Sequence, residues 1–296
     1  MKTGTEALSE RLLSEPLPDS LIIPRGEQWP QSRSDIAKHP ELKLLGTRRG
    51  AMIERRLDDI VAEARTRDVP EVTILFIAEA LRATKFPDYI LSRFTARADS
   101  VDVIYFARQQ ASALPSVLAH RIQSWSSPHH TDLTIGALMR EGRRRFKYDQ
   151  YFDRWSGSGV SLVPLPYFED DHKTDGLMQR FAQHTGISFP ATNKTTPTNA
   201  SLGKEQLEQL AGLKRQLAWT RRIPLIRKVG ERIYYATRKR IRSEPQGKKW
   251  VLTAPEKRQV VEFYRESNAR FKKLLGSAAR NKQWNRWFAE VDQPRR

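Results

Sequence analysis

Val101-Asp-Val-Ile-Tyr-Phe106, with Arg108 directly behind it and a helical stretch running on to about Ser124, decides the fold. β-branched and aromatic residues followed at once by a helix make one strand–helix step of a parallel sheet. The same step recurs on both sides. Upstream, Ser20-Leu-Ile-Ile-Pro24 is a short apolar strand closed by a proline. Met52, Ile53, Leu57, Ile60, Val61 and Ala64 then keep helical spacing over 48–66. Val72-Thr-Ile-Leu-Phe-Ile77 carries no charge and reads as a buried strand, with a turn or helix opening at Glu79 and continuing over 86–97. Downstream lie a third apolar strand, Val160-Ser-Leu-Val-Pro-Leu165, an acidic loop, Phe168-Glu-Asp-Asp-His172, and a helix over 176–184 that ends at Gly186. Ahead of them all, Ala7, Leu8, Leu12 and Leu13 share one face of a short helix. This alternation predicts an α/β fold, a mainly parallel sheet flanked by helices. Ligands of such sheets sit beyond the carboxyl ends of the strands, which singles out Glu27, Glu79, Arg108 and residues 168–172.

The charge is uneven. Of 52 Lys and Arg against 34 Asp and Glu, residues 201–296 hold 25 and 9, a net of +16, which leaves +2 for residues 1–200. Residues 187–202 are rich in Pro, Thr and Asn and read as a linker. The chain therefore divides into an α/β domain over 1–202 and a basic helical region over 203–296. That region carries apolar stripes at Leu207, Leu210, Leu213 and Leu217; at Ile226, Val229, Ile233 and Tyr234; at Val260, Val261, Phe263, Tyr264 and Phe271; and at Trp284, Trp287, Phe288 and Val291. The absence of cysteine excludes a disulfide scaffold, a thiol nucleophile and thiolate metal sites. No apolar run approaches the ~18–20 residues of a membrane span, and Lys2 is followed by polar residues rather than an apolar leader, so the expected compartment is the cytoplasm. Residues 214–249 interleave Arg and Lys with aromatic and aliphatic residues. They rank first as a helical cap, second as an acidic-glycan or anionic-membrane contact, and third as a nucleic-acid contact, for which there is no recognition signature.

Two clusters suit anions. Lys2-Thr-Gly-Thr5 places a lysine, two hydroxyls and a permissive glycine just ahead of a helix, the chemistry of a phosphate cradle. Arg108 and Ser116 are eight residues apart, two turns and a little more, and share a face if the segment is helical. Against these stand plainer readings: an N-terminal loop with a threonine cap, and a salt-bridged arginine with a solvent-facing serine.

Taken in order, the pieces resemble the sulfotransferase superfamily, in particular bacterial sulfotransferase-like proteins of surface-polysaccharide loci. The resemblance rests on Lys2-Thr-Gly-Thr5 before a helix, the strand ending in Pro24, the apolar strand before Glu79, and the strand followed by Arg108-Gln-Gln and a serine. Tyr148-Asp149 with Phe152 and Trp155, the strand over 160–167, Asn199-Ala-Ser-Leu202, Leu252-Thr253 and Phe263-Tyr-Arg-Glu-Ser-Asn268 extend it over most of the chain. It implies a P-loop NTPase-like fold and 3′-phosphoadenosine 5′-phosphosulfate as co-substrate, with no metal. Lys2, Thr3, Gly4 and Thr5 would hold the 5′-phosphosulfate, and Arg108 and Ser116 the 3′-phosphate. Lys2 would neutralise the leaving oxygen, and Glu79 is the first choice of general base, ahead of Glu27 and His39. The acceptor implied is a saccharide or lipid-linked saccharide, with the protein in the cytoplasm and peripheral to the inner membrane. Two features depart from the family. Its cradle follows a buried strand, whereas only Met1 precedes Lys2, which implies a start further upstream or loss of donor binding. Glu6 stands where the family has Thr or Ser. Alternatives are a non-catalytic sulfotransferase-like scaffold and a nucleotide-sugar glycosyltransferase using Glu169-Asp-Asp-His172. His129, His130 and Asp132 lack a third metal ligand at sensible spacing.

Overall fold

The structure is a computed structural model. It describes residues 8, 12, 18–24, 39–45, 47, 50–78, 81, 84, 86–127, 129–143, 145–157, 159–171, 175–187, 202–243 and 250–292. Among these, four strands form two separate parallel pairs: β1 (Leu21–Ile22) with β2 (Thr73–Ile74), and β3 (Val101–Arg108) with β4 (Val160–Tyr167). β3 and β4 align from Val101 opposite Val160 to Arg108 opposite Tyr167. Ten α-helices accompany them: α1 (Gly50–Arg65), α2 (Pro87–Thr95), α3 (Gln110–Gln123), α4 (Ile135–Gly142), α5 (Tyr148–Trp155), α6 (Gly176–Thr185), α7 (Lys204–Gln216), α8 (Pro224–Ser243), α9 (Ala254–Leu275) and α10 (Lys282–Asp292). Parallel strands need crossover connections, and α1, α2 and α3–α5 supply them.

Period-2 alternation assigns each strand residue to a face. Leu21, Ile23, Leu75, Ile77, Ile104, Phe106, Val163 and Leu165 join one core with Leu8, Leu12 and the α6 residues Leu177 and Phe181. Ile22, Ile74, Phe76, Val103, Val160 and Leu162 join the opposite core with Ile53, Leu57 and Ile60 of α1 and Ile90 and Leu91 of α2. Both strand pairs thus present the same two faces to the same two layers. Among the described residues no ladder joins β2 to β3, which leaves a gap between the two pairs.

Sequence and structure part company at Val72–Ile77. Thr73 is exposed, Ile77 is buried and the rest of the run is half-buried, and its ladder to β1 covers only Thr73–Ile74. The cause is the gap. A cavity of about 560 Å³ lies beside this run and is lined by residues 71–78 on one side and 100–106 on the other. Among the described residues β2 is laddered only to β1.

The third and largest core crosses residue 202. It joins Tyr105 of β3 and Leu114, Leu118 and Ile122 of α3 to Leu207 and Leu210 of α7, Tyr264 and Phe271 of α9, and Trp284, Trp287 and Phe288 of α10. Three of the four C-terminal stripes send residues into this core, though Phe263 of the third is exposed. The α8 stripe differs: Tyr234 is buried, but Val229 and Ile233 are about half exposed. α8 instead turns Gly230 inward, where any Cβ would collide with the Thr220 side chain.

Candidate functional site

The carboxyl ends of β3 and β4 bring together Arg108 and the acidic residues Glu169, Asp170 and Asp171. Arg108, the last residue of β3, is 8% exposed. Its Nε donates to Ser112 Oγ at 3.2 Å and its Nη2 to Ser112 O at 3.1 Å, while its guanidinium carbon stands 5.4 Å from the Tyr167 ring centre. Nη2 also reaches Glu169 Oε1 at 3.4 Å. The hydroxyl that Arg108 grips is therefore Ser112. Ser116 lies one turn further along α3 and is half-buried. The expected eight-residue spacing assumes that Arg108 is helical, whereas it ends a strand and meets the first turn of α3 from below.

The acidic loop after β4 is partly exposed at Glu169 and Asp170 and buried at Asp171. Each of its three described carboxylates meets an arginine. Glu169 meets Arg108, Asp170 meets Arg286 of α10 at 2.8 Å, and Asp171 meets Arg180 of α6. Asp171 is buried and also accepts the Phe168 amide at 2.7 Å. The Arg286 and Arg180 guanidiniums stand 4.2 and 5.2 Å from the Phe168 ring. The hydrogen bond from Arg286 holds the Asp170 carboxyl below its ordinary range. No group of three potential metal ligands occurs among the described residues. His130 instead hydrogen-bonds Glu141 at 2.8 Å, and Asp132 caps Thr134.

Helices from the C-terminal third cover this end of the sheet. Trp287 Nε1 donates to Ala107 O at 2.9 Å, and Tyr148 Oη donates to Arg108 O. Gln109 donates to Trp287 O at 3.2 Å, and Gln110 donates to Asn268 Oδ1 at 2.7 Å. Asp149, 2% exposed, accepts from Ser267 and pairs with Arg270 at 2.8 Å. Gln109, Gln110, Tyr148, Asp149, Ser267 and Asn268 all belong to stretches that carry the resemblance. Here they bind α9 and α10 to α3 and α5.

The opposite end of α3 absorbs part of the C-terminal basicity. Lys214 Nζ, 1% exposed, donates to the carbonyls of Arg121, Ser124 and Ser127 at 2.9, 2.8 and 3.1 Å. Arg238 donates to Gln123 O at 3.0 Å, and Arg221 to Trp125 O at 2.6 Å. Cations at a helix C-terminus complement its dipole. Burial, with Arg221 nearby, draws the Lys214 ammonium down to about 7. The sequence marks these residues only as basic; nothing local identifies which of them turn inward.

Lys2, Thr3, Gly4, Thr5, Glu6, Glu27, Glu79 and His172 lie outside the described residues. His39 is fully buried. Its Nδ1 accepts the Ile77 amide at 2.9 Å and its Nε2 bonds Pro24 O at 2.9 Å, so the ring is neutral with its proton on Nε2. Burial lowers its pKa. It ties the end of β1 to the end of β2, and both nitrogens are committed, which removes it from the candidate bases.

No helix of the described residues is long and apolar enough to cross a membrane. No family model, curated protein or solved structure matches the chain.

Proposed function

We propose that the chain is a sulfotransferase-like protein that grips the 3′-phosphate of 3′-phosphoadenosine 5′-phosphosulfate at Arg108 and passes the sulfuryl group to a saccharide hydroxyl. The observation that carries this reading is the Arg108 corner. The guanidinium is pre-oriented by Ser112 at the carboxyl end of a parallel strand, and the carboxylate it meets is half exposed and replaceable by a phosphate oxygen. Lys2, Thr3, Gly4 and Thr5 are assigned to the 5′-phosphosulfate, Ser116 to the 3′-phosphate and Glu79 to the general base by resemblance alone. In the reaction the acceptor oxygen bonds to sulfur as the bond from sulfur to the 5′-phosphate oxygen breaks. The acceptor proton passes to Glu79, and adenosine 3′,5′-bisphosphate leaves. Such a transfer needs alignment and charge stabilisation and no metal.

The acceptor surface we assign is an anionic membrane carrying the saccharide. α8 and the turn before it expose Leu225 (90%), Val229, Ile233, Trp219 and Ile223 among the exposed Arg222, Lys228, Arg232 and Lys239. Apolar residues rimmed by cations suit a lipid interface, whereas a phosphate backbone offers the apolar residues nothing.

A non-catalytic binding role is favoured by one observation, the hydrogen bonds that close the Ala107 and Arg108 carbonyls with Trp287 and Tyr148. Thermal melting with millimolar adenosine 3′,5′-bisphosphate tests binding. A rise in Tm that Arg108→Ala abolishes supports the nucleotide site, and an unchanged Tm refutes it. Turnover of the radiolabelled donor then separates enzyme from scaffold.

A further inference from the structure

We propose that Glu169 and Asp170 are a built-in occupant of a two-arginine anion site, and that a phosphate monoester displaces them to bind between Arg108 and Arg286. This rests on the reading of Arg108 as a phosphate contact. It adds a second arginine, supplied by the C-terminal helices, and a pair of carboxylates that gates the site. Arg286 is brought to Arg108 by its neighbour in α10. Trp287 Nε1 donates to Ala107 O at 2.9 Å, and the Trp287 carbonyl accepts from Gln109 at 3.2 Å. One residue of α10 is thus bonded to the residues on both sides of Arg108, and Arg286 directly precedes it. The two arginines also meet consecutive residues of one turn. Arg108 Nη2 reaches Glu169 Oε1 at 3.4 Å, and Arg286 Nη2 reaches Asp170 Oδ2 at 2.8 Å.

Exposure separates the pairs that can open from the one that cannot. The side chains of Asp171 and Arg180 are 5% and 8% exposed, and Asp171 also accepts the Phe168 amide at 2.7 Å, so this pair fixes the backbone of the loop. Glu169 and Asp170 are 53% and 48% exposed. Half-exposed ion pairs are weak, so both carboxylates can rotate into water while the loop stays where Asp171 holds it. The arginines are positioned by other contacts. Arg108 is gripped by Ser112 through Nε and Nη2, and the Arg286 guanidinium stands 4.2 Å from the buried Phe168 ring. When the carboxylates swing out, both guanidiniums remain in place.

Charge identifies the ligand. Glu169 and Asp170 bring two negative charges on two separate stems. A phosphate monoester brings roughly the same charge, about −2 at neutral pH, on three terminal oxygens around one atom, and so serves two guanidinium forks at once. The exchange leaves the charge of the corner as it was. A monocarboxylate would return only one of the two charges removed. The hydrogen bond from Arg286 holds the Asp170 carboxyl below its ordinary range, so this carboxylate is ionised at neutral pH and competes with the ligand there. The affinity of the site is therefore set by the loop as well as by the arginines.

The test is calorimetric titration of the full chain, at low salt, with inorganic phosphate and with adenosine 3′,5′-bisphosphate. Asp170→Asn removes one competing charge and is expected to tighten both about tenfold. Arg286→Gln is expected to weaken both about tenfold and, in the double variant, to cancel the gain from Asp170→Asn. Arg286→Lys keeps the charge without the fork and is expected to recover part of the loss. It replaces Arg286→Gln in the double variant should the latter fail to fold. A merely structural Arg286 leaves the Asp170→Asn gain intact, and that result overturns the second arginine. An unchanged Kd in Asp170→Asn overturns the gate, and binding of neither anion overturns both. Phosphate binding with these dependences, and nucleotide binding no tighter than phosphate, upholds the anion site and defeats the nucleotide reading. Nucleotide binding that needs Arg108 and ignores Arg286→Gln does the reverse.

Discussion

Replacing Glu169 by Gln isolates the Arg108 corner. The pair is 3.4 Å apart, with Arg108 at 10% and Glu169 at 53% side-chain exposure. Half-exposed pairs contribute about 0–1 kcal/mol, so Glu169→Gln should lower stability by less than about 1 kcal/mol. Its effect on an incoming phosphate is larger. Two like charges about 4 Å apart repel by ~1 kcal/mol in water and by ~4 kcal/mol at the effective dielectric of a protein surface. For a half-exposed carboxylate we take ~1.5–3 kcal/mol, which is roughly ten- to a hundredfold in affinity. The expected result by isothermal titration calorimetry at low salt is a Kd for adenosine 3′,5′-bisphosphate that falls by that factor. The gain shrinks as salt screens the charge. Adenosine 5′-monophosphate, which lacks the 3′-phosphate, gains far less. Equal gains for both nucleotides, or an unchanged Kd in a variant with normal denaturant midpoint, would refute the assignment of Arg108 to the 3′-phosphate.

Two further outcomes follow from the C-terminal helices. Lys214 titrates near 10.5 when unfolded and about 7 when folded, so between these values the unfolded chain binds the extra proton and the group destabilises the fold less as pH rises. The stability of the wild type relative to Lys214→Met should climb from pH 7 to 10.5, by at most about 5 kcal/mol, the three carbonyls around the ammonium holding it below that ceiling; a flat difference in denaturant titrations would count against it. For the lipid surface, Leu225→Glu with Val229→Glu should abolish co-sedimentation with anionic vesicles at unchanged Tm, and retained binding would remove α8 from the contact.

Local chemistry made much of the fold legible. The apolar strands at 101–106 and 160–165 and the Leu and Trp stripes of the C-terminal third are marked by residue type and spacing over a few residues, and their elements form where those marks stand. The placing of Arg108 at a strand end was equally local. Its partner was not. Choosing Ser112 over Ser116 depends on the angle at which α3 leaves β3. The arginines that pair with the acidic loop were not legible either, because they lie 9, 61 and 116 residues away along the chain.

The sequence by itself determined the strand and helix alternation, the parallel topology and the concentration of net positive charge in the last third, because each is set by side-chain type and short-range spacing. Only the tertiary structure decided which charges face solvent. Lys214, Arg221 and Arg238 are spent on the carbonyls at the end of α3, a choice made by helix packing across about 90–115 residues of chain. It also decided that the sheet is split. Among the described residues the two strand pairs share both core layers without a ladder between them, a relation between segments far apart in the chain that no local pattern carries.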